Sequence, residues 1–399
     1  MRIATATFHD RAGAGIVARQ ADVYAQQAKI ASGREVSTGA DDPVGASLAV
    51  RTRGELARSG RWQDAQASAK SSLSIAESTI GAMHDTLASA RTTLLASGNP
   101  AYSAADRRTL ADQLRGDLAS LVGYANVTDA DGGYLFAGFD NRTAPFTRTG
   151  TAVSYAGDSG YRETEVGPGT VLAVARGGDD LFLRIPSGNG AFETTARQAN
   201  AGTGVVGSGR VTAAVSLTGH AYEVRFTAPG TYDVWDATAG ASVSTGNAFT
   251  PGGTIAFDGL AFEVSGTPAA GDVFDVDPAG NRSLFDRVQR AIAMLEDPAT
   301  GAAASAWRAS ELEGILQDFD AALGRLSEIR SAAGNALQRV DTMGSVVEDR
   351  ALSQSGQVAG IEDLDYAAAS TELAARSLAY EAALAAYAQT GKRSLFDYL

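Results

Sequence analysis

The chain has no cysteine among its 399 residues, which excludes both a disulfide framework and a thiolate metal site. The same absence suits a chain destined for export, which gains nothing from a stray thiol. Histidine is scarce too. His9, His84 and His220 stand far apart, with no second ligand at metal-binding spacing, and read as packed or surface residues. Basic residues are outnumbered: 33 Lys and Arg against 46 Asp and Glu give a formal net charge of −13. That balance argues against nucleic acid or an anionic membrane as a partner. No run of 18 apolar residues exists to span a bilayer. Met1-Arg2-Ile3-Ala4-Thr5 lacks the apolar core of a cleavable signal peptide, so the expectation is a cytoplasmic protein or one exported without a cleaved signal.

Motifs that carry chemistry are equally thin. Gly202-Thr203-Gly204-Val205-Val206-Gly207 matches GxGxxG, and Gly13-Ala14-Gly15-Ile16-Val17-Ala18 matches its GxGxxA variant. A dinucleotide site needs a preceding buried strand and a following helix, and neither match has that setting. Asp272, Asp275 and Asp277 lack the spacing and terminal Glu of an EF-hand loop. No nucleophile–base pair and no carboxylate pair stands out. The sequence offers no catalytic, cofactor or metal residues, and the chain reads as a non-enzyme.

What is present is helix at both ends. Over Ile361–Leu399, the residues Ile361, Leu364, Ala368, Thr371, Ala375, Leu378, Ala382 and Ala385 follow alternating three- and four-residue steps, the seam of a coiled coil. A second row, Tyr366, Ser370, Leu373, Ser377, Tyr380, Leu384 and Tyr387, keeps the same steps on roughly the opposite side. One partner cannot cover two opposite apolar faces. The expectation is that the first row packs within the chain and that Tyr366, Leu373, Tyr380 and Leu384 pack between molecules. The first row has only three large apolar residues, worth about 1.5–3 kcal/mol each when fully buried. Ordering costs roughly 1–2 kcal/mol per residue, so an isolated tail is marginal. The tail reads as an assembly element, largely unordered in a free monomer.

At the start, Val17, Ala21, Tyr24, Ala28 and Ala31 form a heptad row, widened by Ile16, Val23 and Ile30. Gly33 ends this helix. Asp41 or Asp42 caps the next, with Pro43 in its first turn. That turn also reads as a pivot for the terminal hairpin. A long helix includes Leu73, Ala76, Ile80, Met83, Leu87, Ala90 and Leu94, and a third carries Leu110, Leu114, Leu118 and Leu121 after a capping-box-like Ser103…Asp106. Tyr134–Phe139 reads as a strand, and Gly-, Thr- and Val-rich alternating runs continue to about Gly280. Helix returns at Leu284–Leu295 and over about 305–345, where Leu312, Ile315, Phe319, Ala322, Leu326, Ile329, Ala333, Ala336, Val340 and Met343 keep the three-four alternation. The predicted fold class is α+β: a fold-back rod of long coiled-coil-like helices from both termini with an inserted, mainly antiparallel β-domain. Its parts are 1–40 pairing with 350–399, 41–146 pairing with 281–349, and 147–280 as the outer β-domain.

Several segments carry a family resemblance. Ile30-Ala31-Ser32-Gly33-Arg34-Glu35-Val36, followed by Asp41-Asp42-Pro43-Val44-Gly45-Ala46-Ser47, resembles the flagellin-type signature after the first helix, and Ile361–Ala368 resembles its C-terminal counterpart. Tyr134–Phe139 with Pro145-Phe146, and the ending Ser394-Leu395-Phe396-Asp397-Tyr398-Leu399, are similar to the hook–filament junction members of the flagellin superfamily. The resemblance covers roughly the first 146 and last 120 residues and is looser across 147–280. It implies a secreted structural subunit of the bacterial flagellum, exported by the flagellar type III apparatus and located at the junction of hook and filament. Implied partners are copies of itself in a ring, hook-associated protein 1, flagellin and an export chaperone. The alternative is flagellin itself. A binding or adhesive role of 147–280 would be an addition. The expected assembly residues are Ile16, Val17, Val23, Tyr24, Ile30, Asp41, Asp42, Pro43, Ile361, Leu364, Tyr366, Leu373, Leu378, Tyr380, Leu384, Tyr387 and Phe396.

Overall fold

A computed structural model describes residues 2–392. Long helices come from both ends of the chain: α1 (Arg2–Ser32), α2 (Pro43–Ser97) and α3 (Ala104–Ala125), then α4 (Leu284–Glu296), α5 (Ala302–Glu362) and α6 (Tyr366–Lys392). Between them lie antiparallel strands from Phe146 to Arg282, which makes the fold α+β with a middle β region. Two compact units emerge, one from residues up to Asp64 and from Met343 onward, the other from Ala65 to Thr342.

The second unit is organised by the helical rows read from the sequence. Ile80, Met83, Leu87, Ala90 and Leu94 of α2 meet Ile315, Phe319, Ala322 and Leu326 of α5. Leu114, Leu118 and Leu121 of α3 and seven apolar side chains of α4 complete the core. Ser103 caps α3 in a full capping box, its hydroxyl accepting from the Asp106 amide while the Asp106 carboxylate accepts from the Ser103 amide. The α5 helix extends to Glu362, beyond the expected end near 345. No proline intervenes, Gly356 and Gly360 stay within the helix, and Val347 continues the buried row.

The inserted segment is in two parts. Two hairpins, Phe146–Thr149 with Ala152–Tyr155 and Tyr161–Gly167 with Thr170–Arg176, belong to the helical part, where Phe146, Leu181, Phe182 and Ile185 enter the helical core. The segment 192–276 closes its own core. Its five-stranded sheet runs in the order Ala241–Ala248, Thr231–Asp236, Tyr222–Ala228, Val273–Pro278, Phe192–Ala196. A second sheet joins Gly253–Phe257, Leu260–Ser265 and Val205–Val206, with Arg210–Val211 beside it. Tyr222, Val224 and Phe226, alternating on one face, pack with Phe274 and Val276 against Ile255, Phe262 and Val264 of the other sheet.

Tyr134–Phe139 is not the strand the sequence suggests. Tyr134 makes an isolated bridge to Thr128, and then Leu135, Phe136 and Ala137 are buried in succession instead of alternating. Gly138, at φ 83°, turns the chain so that Phe139 points to solvent. The Asp158 carboxylate pins this turn by accepting the amides of Phe139 (2.9 Å), Asp140 (3.0 Å) and Gly160 (2.6 Å). Those bonds, that from Asp140 first, hold the Asp158 carboxyl below its ordinary value against the opposing effect of burial. The folded state thus favours the ionised form. Its contribution is complete above about pH 4, the usual aspartate value, and is lost as pH falls through the lower folded value. Protection factors of the Phe139 and Asp140 amides, exchange corrected for its intrinsic pH dependence, should fall on acidification in the unaltered protein. The Asp158→Asn variant should already exchange fast at pH 7. Equal protection in both would remove Asp158 from this role.

Candidate assembly surfaces

The first unit turns on a double break. α1 ends at Ser32, and Gly33 takes φ 68°, a left-handed conformation that suits a helix stop. A side chain there would also strike the Tyr366 hydroxyl, 2.8 Å from an added Cβ. The other half breaks at the same level, between α5 and α6. The two breaks are sewn together: Arg34 bridges Asp363, the Glu35 amide donates to the Glu362 carbonyl (2.8 Å), and the Leu364 amide to Gly33 (3.1 Å). Leu364 is buried here, and the Glu362 carboxylate pairs with Arg53.

Each helix leaving this junction has its own cap. Asp42 starts α2, its carboxylate accepting from the Val44 amide (3.0 Å) and its carbonyl from the Ala46 amide (2.9 Å). Pro43 takes the first helical position. Asp41 does a different job, closing the turn before the helix by accepting from the Thr38 amide (2.8 Å), the Thr38 hydroxyl (3.0 Å) and the Ser37 amide (3.1 Å). These bonds, the Thr38 amide foremost, lower its pKa. Asp365 starts α6 by accepting the amides of Ala367 and Ala368. Gly45 lets the first turn of α2 come within reach of Ile361, whose Cγ2 lies 3.3 Å from where a Cβ would stand.

Beyond the junction α1 and α6 lie against each other. The Gln26 amide donates to the Ala369 carbonyl, the Arg376 guanidinium to the Asp22 carbonyl, and His9 meets the Tyr387 ring edge-on at 5.8 Å. Leu364 of the first row is buried and Tyr366 of the second exposed, as expected, but from Leu373 onward the expected division of faces is reversed. On α6 it is Leu373 and Tyr380 that are half-covered by the pairing, with Leu384 and Tyr387 nearer its edge. Ala368, Thr371, Ala375, Leu378, Ala382 and Ala385 are exposed. On α1 the covered row is Ile16, Val23 and Ile30 around buried Gln26, while Val17, Ala21, Tyr24, Ala28 and Ala31 face outward. The physical reason is size and shape. Small residues cannot fill the space between two helices, whereas Tyr380 and Leu373 reach across it.

The pairing is thin. Among the described residues of these two helices, only Gln26 and Ala369 are fully buried, and a groove of about 220 Å³ opens between Ile16, Arg19, Ala383 and Tyr387. Outward apolar side chains are correspondingly large: Val17 is 65 % exposed, Tyr24 60 % and Leu378 68 %. Tyr366 is exposed as well. Val44, Val50 and Leu352 add to this open apolar surface in the same unit, and the sequence reading passed over them. Phe396 lies outside the described residues. Polar positions inside the unit were also missed: Ser59 donates to Gln354 (3.1 Å), which donates to Glu55 (3.2 Å).

The glycine-rich match at 202–207 has a structural use. Asp272, buried, accepts the amides of Ala201, Gly202 and Ala269, stapling two loops of the sandwich. A Cβ on Gly202 would sit 2.4 Å from the Ala269 nitrogen, and one on Gly204 would press on Phe274 and Pro268. Gly13 and Gly15 lie within α1, with open space at both.

Paired helices from the two chain ends, broken together and stitched at one level, define a class that sequence comparison identifies. The model of the bacterial flagellin N-terminal helical region matches residues 3–141, and that of the C-terminal helical region matches 316–399. The chain belongs to the flagellin family, a family of structural flagellar proteins. Within that family its relatives are hook-associated protein 3, or FlgL. Flagellar hook-associated protein 3 of Salmonella typhimurium is 28 % identical over 187 residues, 47 % of this chain and 58 % of that protein. The alignment thus spans little more than half of that relative. The crystal structure of the flagellar junction protein FlgL from Legionella pneumophila is 31 % identical, with a TM-score of 0.67, covering 73 % of this chain and 98 % of that one. FlgL of Xanthomonas campestris is 28 % identical at a TM-score of 0.73, covering 77 % and 99 %.

Proposed function

We propose that this chain is a structural subunit of the bacterial flagellum that joins hook to filament, exported by the type III apparatus and assembled through its terminal helices. The supporting observation is the thin α1–α6 pairing with its large outward apolar side chains, found in a chain whose two ends both match flagellin. A helix pair that buries so little of itself gains its stability from neighbours. Docking copies would cover Val17, Tyr24 and Leu378, and apolar burial shared among subunits would order the ends. The capped junction at Gly33–Pro43 and Asp363–Asp365 is where the pair would adjust its angle as it docks. The neighbours are further copies in a ring, hook-associated protein 1 on one side and flagellin on the other. An export chaperone would hold α6 beforehand.

Deletion of the gene tests this reading. Cells should keep hooks, secrete flagellin into the medium unassembled and lose swimming, and the intact gene should restore filaments. Normal filaments in the deletion strain would sink it. Loss of flagellin protein itself would favour the bulk filament subunit instead.

A further inference from the structure

We infer that the arginine cluster gathered on Asp318 is a rigid joint. It fixes the 192–276 sandwich in one orientation on the helices of its unit, so that the two move as one body. The chain enters the sandwich through Ile185–Pro186 and leaves it through Asn281–Arg282, paired antiparallel over only two residues each. Beside this ladder stand the bonds from the Ser187 amide to Gly280 (2.8 Å), from the Gly280 amide to the Ser187 hydroxyl (3.1 Å) and from the Ala279 amide to Ala191 (2.9 Å). So short a ladder by itself would be a hinge.

Asp318 of α5, fully buried, converts it into something else. Its Oδ1 accepts from the Gly188 amide on the entering segment (3.2 Å) and from Arg287 of α4 (3.0 Å). Its Oδ2 accepts from Arg282 on the leaving strand (2.5 Å) and from Arg290 of α4 (3.4 Å). Arg287 is wholly buried and donates onward to the carbonyls of Ile185 (2.8 Å), Pro186 (2.9 Å) and Asp318 (2.5 Å). Arg282 also pairs with Glu193 on the first strand of the sandwich (3.0 Å), and Arg290 with Glu311 (2.9 Å). Both connecting strands, the first sandwich strand, α4 and α5 are thereby held in one network of three arginines and three carboxylates.

The chemistry suits fixing an orientation better than adding stability. Burial pushes the Arg287 guanidinium down to about 10, so it remains cationic at neutral pH and needs its anion. Buried ion networks are commonly no more stabilising than apolar packing, and in some proteins they serve to select one arrangement among several. An apolar neck would let the sandwich slide. Guanidinium forks, with fixed donor directions, do not. Further contacts along α5 match this single pose: the Val206 amide donates to Ser310, Ser208 to Glu313, and Trp307 touches both cores.

The absence of cysteine makes the test clean, because two introduced cysteines are the only labelling sites. Nitroxides on Ala105→Cys in α3 and Ser242→Cys in the sandwich, both exposed, report the distance between the two bodies by pulsed electron resonance on the full chain. The unaltered background should give one narrow distance distribution. Asp318→Asn should broaden it at least two-fold while amide protection in strand 222–228 is kept. Because that variant risks unfolding the helices, the paired change Arg282→Gln with Glu193→Gln provides a second reading. It removes the Arg282–Glu193 bridge and the Arg282–Asp318 bond while leaving Asp318 its bonds from Gly188, Arg287 and Arg290, and should broaden the distribution more modestly. A broad distribution in the unaltered background, or an unchanged narrow one in the folded variants, would overturn the joint.

Discussion

Replacing Leu378 by aspartate is expected to leave the monomer folded and to abolish its assembly into the flagellum. Leu378 is 68 % exposed on the outward row of α6, so in a free chain the new carboxylate meets water. Surface changes of this kind usually stay within about 0.5 kcal/mol. In an assembled structure, covering that row with a neighbour would forfeit the leucine's burial, about 1.5–3 kcal/mol. It would also desolvate a charge with no partner, for several kcal/mol more. The loss would recur at every subunit contact of the proposed ring. The matching control is Leu373→Asp, on the row turned toward α1. It should loosen the helix pair within the monomer and speed amide exchange in α1. The readouts are filament counts by electron microscopy in complemented deletion cells, with circular dichroism and hydrogen exchange on purified chains. Full filaments from Leu378→Asp would remove the outward row of α6 as a docking surface.

That control depends on a distinction the sequence did not yield. Both rows of α6 follow the same three-four steps, and periodicity alone says that two faces exist without saying which one α1 takes. The choice is made by side-chain reach, and by Gln26 of α1, which bonds the Ala369 carbonyl from inside an otherwise apolar row. A glutamine in a helix is read as solvent-facing by default, so its pull on the register goes unseen. The rows in α2, α3 and α5 were legible because each has one continuous apolar stripe and one place to bury it. Arg287 shows the opposite case. It stands three residues after Leu284 and four before Ala291, on the buried stripe of α4, and that position was the available signal. Its partner Asp318 precedes the core residue Phe319 and is some thirty residues distant, so only the fold brings the two together. Tyr134–Phe139 was misread for a related reason. Consecutive burial in an aromatic-rich turn and alternation in a strand use the same residue types, and only the φ of Gly138 separates them.

Phe285→Ala is expected to cost the Ala65–Thr342 unit about 3–5 kcal/mol, out of the roughly 5–15 kcal/mol that holds a typical domain folded. Phe285 is fully buried at the first turn of α4, and its ring lies 5.1 Å from that of Phe146 and 6.4 Å from that of Phe182. Phe146 in turn meets Tyr155 at 4.9 Å, and Phe182 meets Phe136 edge-on at 5.2 Å. Five aromatic rings from α4, the first hairpin, the turn before it and the segment at 179–183 are therefore joined through one place. Truncation removes the ring contacts, about 0.5–1.5 kcal/mol for each well-placed pair. It also leaves a cavity that backbones fixed by the neighbouring helices cannot collapse to fill. Phe285→Leu, which keeps much of the volume, should recover most of the loss. Urea unfolding followed by circular dichroism reads both variants. The sandwich has a separate core and should keep its amide protection in each. An alanine variant that melts within about 1 kcal/mol of the unaltered chain would mean that the rings rearrange freely. The first hairpin would then be held by its backbone bonds, such as those between Asn126 and Phe146, rather than by this cluster.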